Sequence, residues 1–162
     1  MIQDRIEREI LIEAPPEVVW RTITEPDQIV SWFSEAAELD PRPGGAGELT
    51  WEPGGKATVD PEEPVTAALR VEKLEPPHYF SFRWMHPAGA EPDPNNSVLV
   101  EFSLNPEGEK TRLRLVESGF RNLPGPEDET ERTVDGHSAG WDNHLGRLRA
   151  YLSSKLTEPA PE

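Results

Sequence analysis

The chain has 162 residues, enough for one domain with a real core, and its apolar fraction of 35% lies somewhat below the usual ~45–50%, a figure that also counts glycine, partly because 18 residues are proline. Its net charge of −15, from 31 acidic and 16 basic residues, repels phosphate backbones and anionic lipid, so neither nucleic acid nor a membrane surface is expected as a partner. With no cysteine there is no disulfide, no thiolate metal site and no cysteine nucleophile.

Ile2 to Ile12 reads as a strand, with Ile6, Ile10 and Ile12 on one parity. Ala14-Pro15-Pro16-Glu17 ends it and starts a short helix, because Pro16 presets φ and Glu17 faces the positive end of the helix dipole. Val19, Trp20 and Ile23 form the buried side of that helix, and Trp20 is assigned to core. Thr24-Glu25-Pro26-Asp27 breaks and restarts it, so Ile29, Val30, Trp32 and Phe33 fall in a second short helix or turn. From Ala36 the pattern becomes strands and turns. Glu48 to Trp51 lies between Gly/Pro clusters; Val65 to Val71, Phe80 to Trp84, Val98 to Leu104 and Thr111 to Glu117 each alternate with period two. Pro76-Pro77 and Asn105-Pro106-Glu107-Gly108 are turn signals, and Pro87 to Asn96 is a long loop. Arg121 to Glu131 reads as an acidic, proline-bearing loop. Val134 to Leu156 is the long helix, with Trp141, Leu145, Leu148 and Leu152 on one stripe. Thr157 to Glu162 reads as a frayed tail.

Hairpin-length links imply an antiparallel meander, and helix segregated to one face makes the class α+β. A single amphipathic helix after a run of strands buries its stripe against the sheet. A curved sheet gripping it leaves room for a cavity between them.

Candidate chemistry follows from that placement. His137, Trp141 and His144 sit at i, i+4 and i+7, on one helix face. They are read as a polar cluster at the cavity mouth with Glu117; the plainer expectation is that the histidines cap the stripe and bond to loops. Positions i and i+7 lie ~10 Å apart along the axis, too far for one metal ion, so no metal is expected. Glu117 shares parity with Leu113 and Leu115: it either enters the cavity, paired by Arg83 or His137, or lies past the buried stretch in solvent. Asp135, His137 and Ser138 diverge on the helix and cannot form a relay. Gly44-Gly45-Ala46-Gly47 and Gly54-Gly55 read as turns, not phosphate loops. Gly140 and Gly146 each cost about 1 kcal/mol in a helix, which suggests close approach of sheet or ligand, or else a ragged helix start over 136–140. Five tryptophans suit a core and equally an aromatic-lined pocket.

The order of elements, carried by Ile12 to Trp20, Ile29 to Phe33, Leu113 to Phe120 and Gly140-Trp141-Asp142 through Tyr151-Leu152, resembles the START-like, or SRPBCC, helix-grip superfamily. Within it the chain is most similar to the activator of heat-shock-protein-90 ATPase homologue-like family. The resemblance implies one START-like domain over 1–156 with a disordered tail at 157–162. It implies about six or seven curved antiparallel strands wrapped on the C-terminal helix, and two short helices after the first strand. It carries no catalytic residue set to transfer. The expected function is binding of a small hydrophobic or aromatic molecule, lined by Trp32, Trp51, Phe82, Trp84, Leu115, Glu117, His137, Trp141 and His144, with no cofactor and no catalysis assumed. The alternatives are a cyclase- or hydrolase-like enzyme using a cavity Glu/His pair, and a co-chaperone or interaction protein. A chaperone partner and a homodimer are both open. With no signal peptide and no apolar run near ~20 residues, a cytoplasmic protein without a membrane span is expected.

Overall fold

Period-two alternation becomes a ladder wherever the next strand follows through a tight turn. The computed structural model, which describes residues 4–87 and 89–157, shows this along the chain. β1 (Arg5–Ile12) leads into α1 (Pro16–Thr24) and α2 (Pro26–Ile29). Six strands follow: β2 (Ala36–Leu39), β3 (Ala46–Trp51), β4 (Val65–Glu75), β5 (Tyr79–Trp84), β6 (Val98–Glu107) and β7 (Lys110–Ser118). A single 3-10 turn at Phe120–Asn122 then precedes α3 (Glu127–Thr157). The strands form one antiparallel sheet in the order β1-β7-β6-β5-β4-β3-β2. The α+β helix-grip arrangement anticipated from the sequence is therefore present, with both short helices in place.

Proline at the first turn of α1 and α2 starts each helix as expected, with Glu17 and Asp27 in the favourable first-turn position. In the sheet, Ile6, Ile12, Val100, Phe102, Leu113, Leu115, Phe80 and Phe82 are all buried on the face that meets α3. The stripe Trp141, Leu145, Leu148 and Leu152 is 2%, 2%, 0% and 1% exposed, so the helix buries the face its period dictates. Each such side chain contributes roughly 1.5–3 kcal/mol of burial. At the sheet edge Arg8 points to the same face and fastens α3, its Nε donating to Asp142 Oδ1 at 2.7 Å and its Nη2 to Ser138 Oγ at 2.5 Å.

Four local expectations are corrected. α3 begins at Glu127, not Val134: Glu127, Asp128 and Glu129 occupy its first turn, where the helix dipole favours acid, so the acidic stretch is a helix start rather than a loop. The β6–β7 ladder runs through Glu107 and Lys110, which moves the turn to Gly108-Glu109, with Gly108 at φ 64°. β4 continues beyond Val71 through a bulge at Glu72; the extra residue switches parity, so Leu74 rather than Lys73 returns to the core. The helix extends through Thr157, where the sequence suggests fraying; the rest of the expected tail, 158–162, and Ile2 of the first strand lie outside the described residues. Among the described residues no helix is long and apolar enough to cross a membrane.

Candidate functional site

A cavity of about 430 Å³ opens between α3 and the far half of the sheet. The sheet supplies Trp51, Val65, Ala67 and Trp84, whose parities on β3, β4 and β5 all point toward α3. Phe33, delivered by the turn after α2, forms the floor. The helix supplies Gly136, His137, Gly140, Trp141 and His144. The loop over 57–61 closes the mouth with Ala57, Thr58, Val59 and Pro61. Val59, Val65 and Met85 are the exposed large apolar side chains of the described residues, and all three stand at this opening.

The walls are aromatic and held in fixed orientations. Phe33 stacks on Trp141 with centroids 5.4 Å apart and a 26° interplanar angle, and meets Trp51 edge-on at 5.4 Å. Trp51 Nε1 donates to the Phe33 carbonyl at 2.8 Å, tying β3 to the turn after α2. The mouth loop is fastened twice. Glu35 accepts from the Glu52 and Lys56 amides at 2.7 and 2.9 Å, and Asn143 Nδ2 donates to the Lys56 carbonyl and to Thr58 Oγ1, both at 3.1 Å. Burial works to raise the Glu35 carboxyl, but the amides of Glu52 and Lys56 and the Lys56 ammonium together hold it below the usual carboxylate value.

Glu117 settles the alternative that its parity left open. It is 0% exposed, directly behind the cavity wall. Gly119, at φ 98°, turns the chain only after Ser118, so Glu117 stays inside the ladder between Ile6 and Val100. Its Oε1 accepts from Trp141 Nε1 at 2.8 Å and its Oε2 from Trp84 Nε1 at 2.8 Å. His137 Nδ1 lies 2.9–3.0 Å from both oxygens. Three donors from two elements replace the water that burial removes, which is what makes a buried carboxylate tolerable. Of the two partners considered for it, His137 is the one in contact; Arg83 turns to Glu72 instead.

His144 does something different. Its ring meets Phe33 edge-on at 4.8 Å and is hydrogen-bonded to the Trp32 backbone. Burial pushes its pKa down to about 4, aided by Arg147 and opposed by the Trp32 hydrogen bond and by Glu35. Its Nδ1 is buried with no partner among the described residues.

Of the nine residues expected to line a pocket, Trp51, Trp84, His137, Trp141 and His144 do line this cavity. Trp32 and Phe82 instead border a separate void of about 20 Å³ in the layer below, too small for a ligand. Leu115 is core, and Glu117 stands behind the wall. Phe33, Gly136 and the mouth loop were not expected there. Phe33 had a signal, since it adjoins Trp32 on a short turn whose two faces diverge; the loop had none, having no period. The glycines are not sites of close approach to the sheet: a Cβ at Gly136 or Gly146 meets nothing within 4 Å, and one at Gly140 meets only Thr58 Oγ1 at 3.7 Å. Nor is the helix start ragged there, since Gly136 and Gly140 lie well inside α3. Among the described residues no three His, Asp or Glu side chains are grouped to hold a metal ion.

The family model described as Activator of Hsp90 ATPase homolog 1-like protein matches residues 13–153. Solved structures share the fold. MLL2253 from Mesorhizobium loti superposes with a TM-score of 0.72 at 24% identity, covering 96% of this chain and 99% of its own. NE0264 from Nitrosomonas europaea gives 0.74 at 16% identity, over 96% and 97%. The Aha1 dimer from Colwellia psychrerythraea gives 0.68 at 20% identity, over 93% and 96%. Among curated proteins none matches.

Proposed function

The chain belongs to the Activator of Hsp90 ATPase homolog 1-like family, and we propose that within this fold it binds a small hydrophobic or aromatic molecule between α3 and the sheet. The observation that carries the reading is the cavity itself: about 430 Å³, walled by Phe33, Trp51, Trp84 and Trp141, with few polar groups. A ligand there gains free energy by leaving water for apolar walls, at roughly 25 cal/mol per Å² buried. The walls are braced by indole hydrogen bonds, so little ordering is needed on binding.

The test uses the tryptophans as reporters. Titration with a library of lipids and aromatic compounds is expected to shift both tryptophan emission and melting temperature for at least one chemical class. Gly136→Leu, which adds a side chain where a Cβ meets only open space, is expected to abolish that response while leaving the fold intact. A library that moves neither signal in the wild-type protein overturns the reading.

A second reading is an acid–base enzyme of cyclase or hydrolase type, favoured by the contact of buried Glu117 with His137 on the cavity wall. A carboxylate that orients an imidazole is a known way to position a proton acceptor. The two readings differ in whether a bound compound leaves chemically changed. A homodimer and a chaperone partner stay in the proposal only through the family: the Colwellia relative is a dimer.

A further inference from the structure

The cavity's available polarity is concentrated at one atom. The indole N–H groups of Trp84 and Trp141 are both spent on Glu117, and that of Trp51 on the Phe33 carbonyl, so the three tryptophans offer the interior only their rings. Thr58 Oγ1 is held at the rim by Asn143, and the unpartnered Nδ1 of His144 is itself buried. His137 is the exception. An indole only donates and a carboxylate only accepts, so the Glu117 carboxylate, already flanked by two indoles, takes the His137 Nδ1 hydrogen as well. That contact fixes the ring. Nε2 is left without a protein partner among the described residues, on a ring that lines the cavity and whose side chain is 23% exposed.

The surroundings decide what fits. Among the described residues neither Lys nor Arg lines the cavity, and Glu117 stands behind the wall, so a carboxylate or phosphate finds no counter-charge there. Phe33, stacked against Trp141, and the Trp84 and Trp51 rings make the walls broad, rigid and aromatic, which suits a flat aromatic guest. A hydroxyl meets an imidazole nitrogen in either proton state, donating to the bare atom or accepting from an N–H.

We propose that the cavity takes a neutral, planar aromatic molecule bearing a hydroxyl, and that His137 Nε2, oriented by Glu117, binds that hydroxyl. The inference rests on the ligand-binding reading above and names its ligand class. It is tested by measuring dissociation constants of 2-naphthol and the isosteric 2-methylnaphthalene by equilibrium dialysis, for wild type and His137→Phe. The expected result is that the preference for 2-naphthol over 2-methylnaphthalene, as the ratio of the two constants, falls about tenfold in the variant, the size of one lost hydrogen bond to a ligand. A ratio unchanged by the substitution overturns the inference and leaves the cavity reading standing. If neither compound binds the wild type, the inference is overturned, while the cavity reading is decided by the full library of lipids and aromatic compounds. Should His137→Phe not fold, long-range ¹H–¹⁵N spectra of the wild type decide: the His137 Nε2 resonance shifts with 2-naphthol and not with 2-methylnaphthalene, and an unmoved resonance overturns the proposal.

Discussion

At the scale of single residues, the site is organised by two buried polar groups whose circumstances are opposite. Glu117 has three donors and is the hub joining β5, β7 and α3. His144 has one backbone partner and an orphan nitrogen. A neutral buried imidazole is stable; its protonated form is not, because charge is costly away from water. Its pKa in the folded protein, about 4, therefore lies below the ~6.5 of an unfolded histidine. The sign follows directly. As pH falls, the unfolded chain binds the proton first, so stability is fully present above about 6.5 and is lost as pH drops toward 4, by up to about 3 kcal/mol. Urea unfolding across pH 4 to 7.5 is expected to show this slope in the wild type and a flatter one in His144→Gln. Carboxylates such as Glu35, whose folded value is also lowered, act in the same direction at lower pH, so the difference between the two proteins isolates the histidine. Superimposable slopes would assign the acid sensitivity elsewhere.

At the scale of elements, α3 both closes the core and shapes the cavity, and its glycines divide the two tasks. Gly136 and Gly140 face the cavity, whereas Gly146 lies outside its lining, in helix where an added Cβ meets nothing within 4 Å. Gly146→Ala is accordingly expected to stabilise by about 0.5–1 kcal/mol, through helix propensity alone, and to raise the melting temperature by roughly 1–4 °C without altering ligand response. A loss of stability would mean that the helix needs the freedom of glycine at that point. The same helix shows how far sequence reaches. Its stripe from Trp141 to Leu152 was legible because period 3.6 survives any packing detail. Its start was not, because Glu127 to Glu131 carries no apolar period and follows Pro124 and Pro126, so it reads as a loop; the acid-rich first turn is the signal that could have found it. In the sheet, parity put Phe82 and Trp84 on the inner face, and both are there. Parity says nothing of depth along the strand, so it could not tell that Trp84 meets the cavity while Phe82 packs below. For Glu117 the deciding fact was how far the β1 and β6 ladders extend beside it, which only the paired strands reveal.

At the scale of the whole molecule, the excess of 31 acidic over 16 basic residues sets a cost that no local contact cancels. Many of the ion pairs are exposed on both sides, as in Arg5–Glu7, Arg42–Asp40 and Arg132–Asp128. Pairs of that kind contribute little, at most about 1 kcal/mol each. Repulsion among the remaining carboxylates acts over about 10 Å at 0.1 M salt and further at lower ionic strength. Folding brings these charges together, so screening helps the folded state more than the unfolded one. The melting temperature at pH 7 is expected to rise between 10 and 300 mM sodium chloride. The His144 slope is expected to survive the added salt, because that ring is desolvated by burial rather than by surface charge. Scans at the two salt concentrations, each repeated at pH 5 and 7, separate the two effects. A melting temperature that falls with salt at pH 7 would show that the surface ion pairs outweigh the net charge, and the acidic surface would then be a source of stability as well as a barrier to anionic partners.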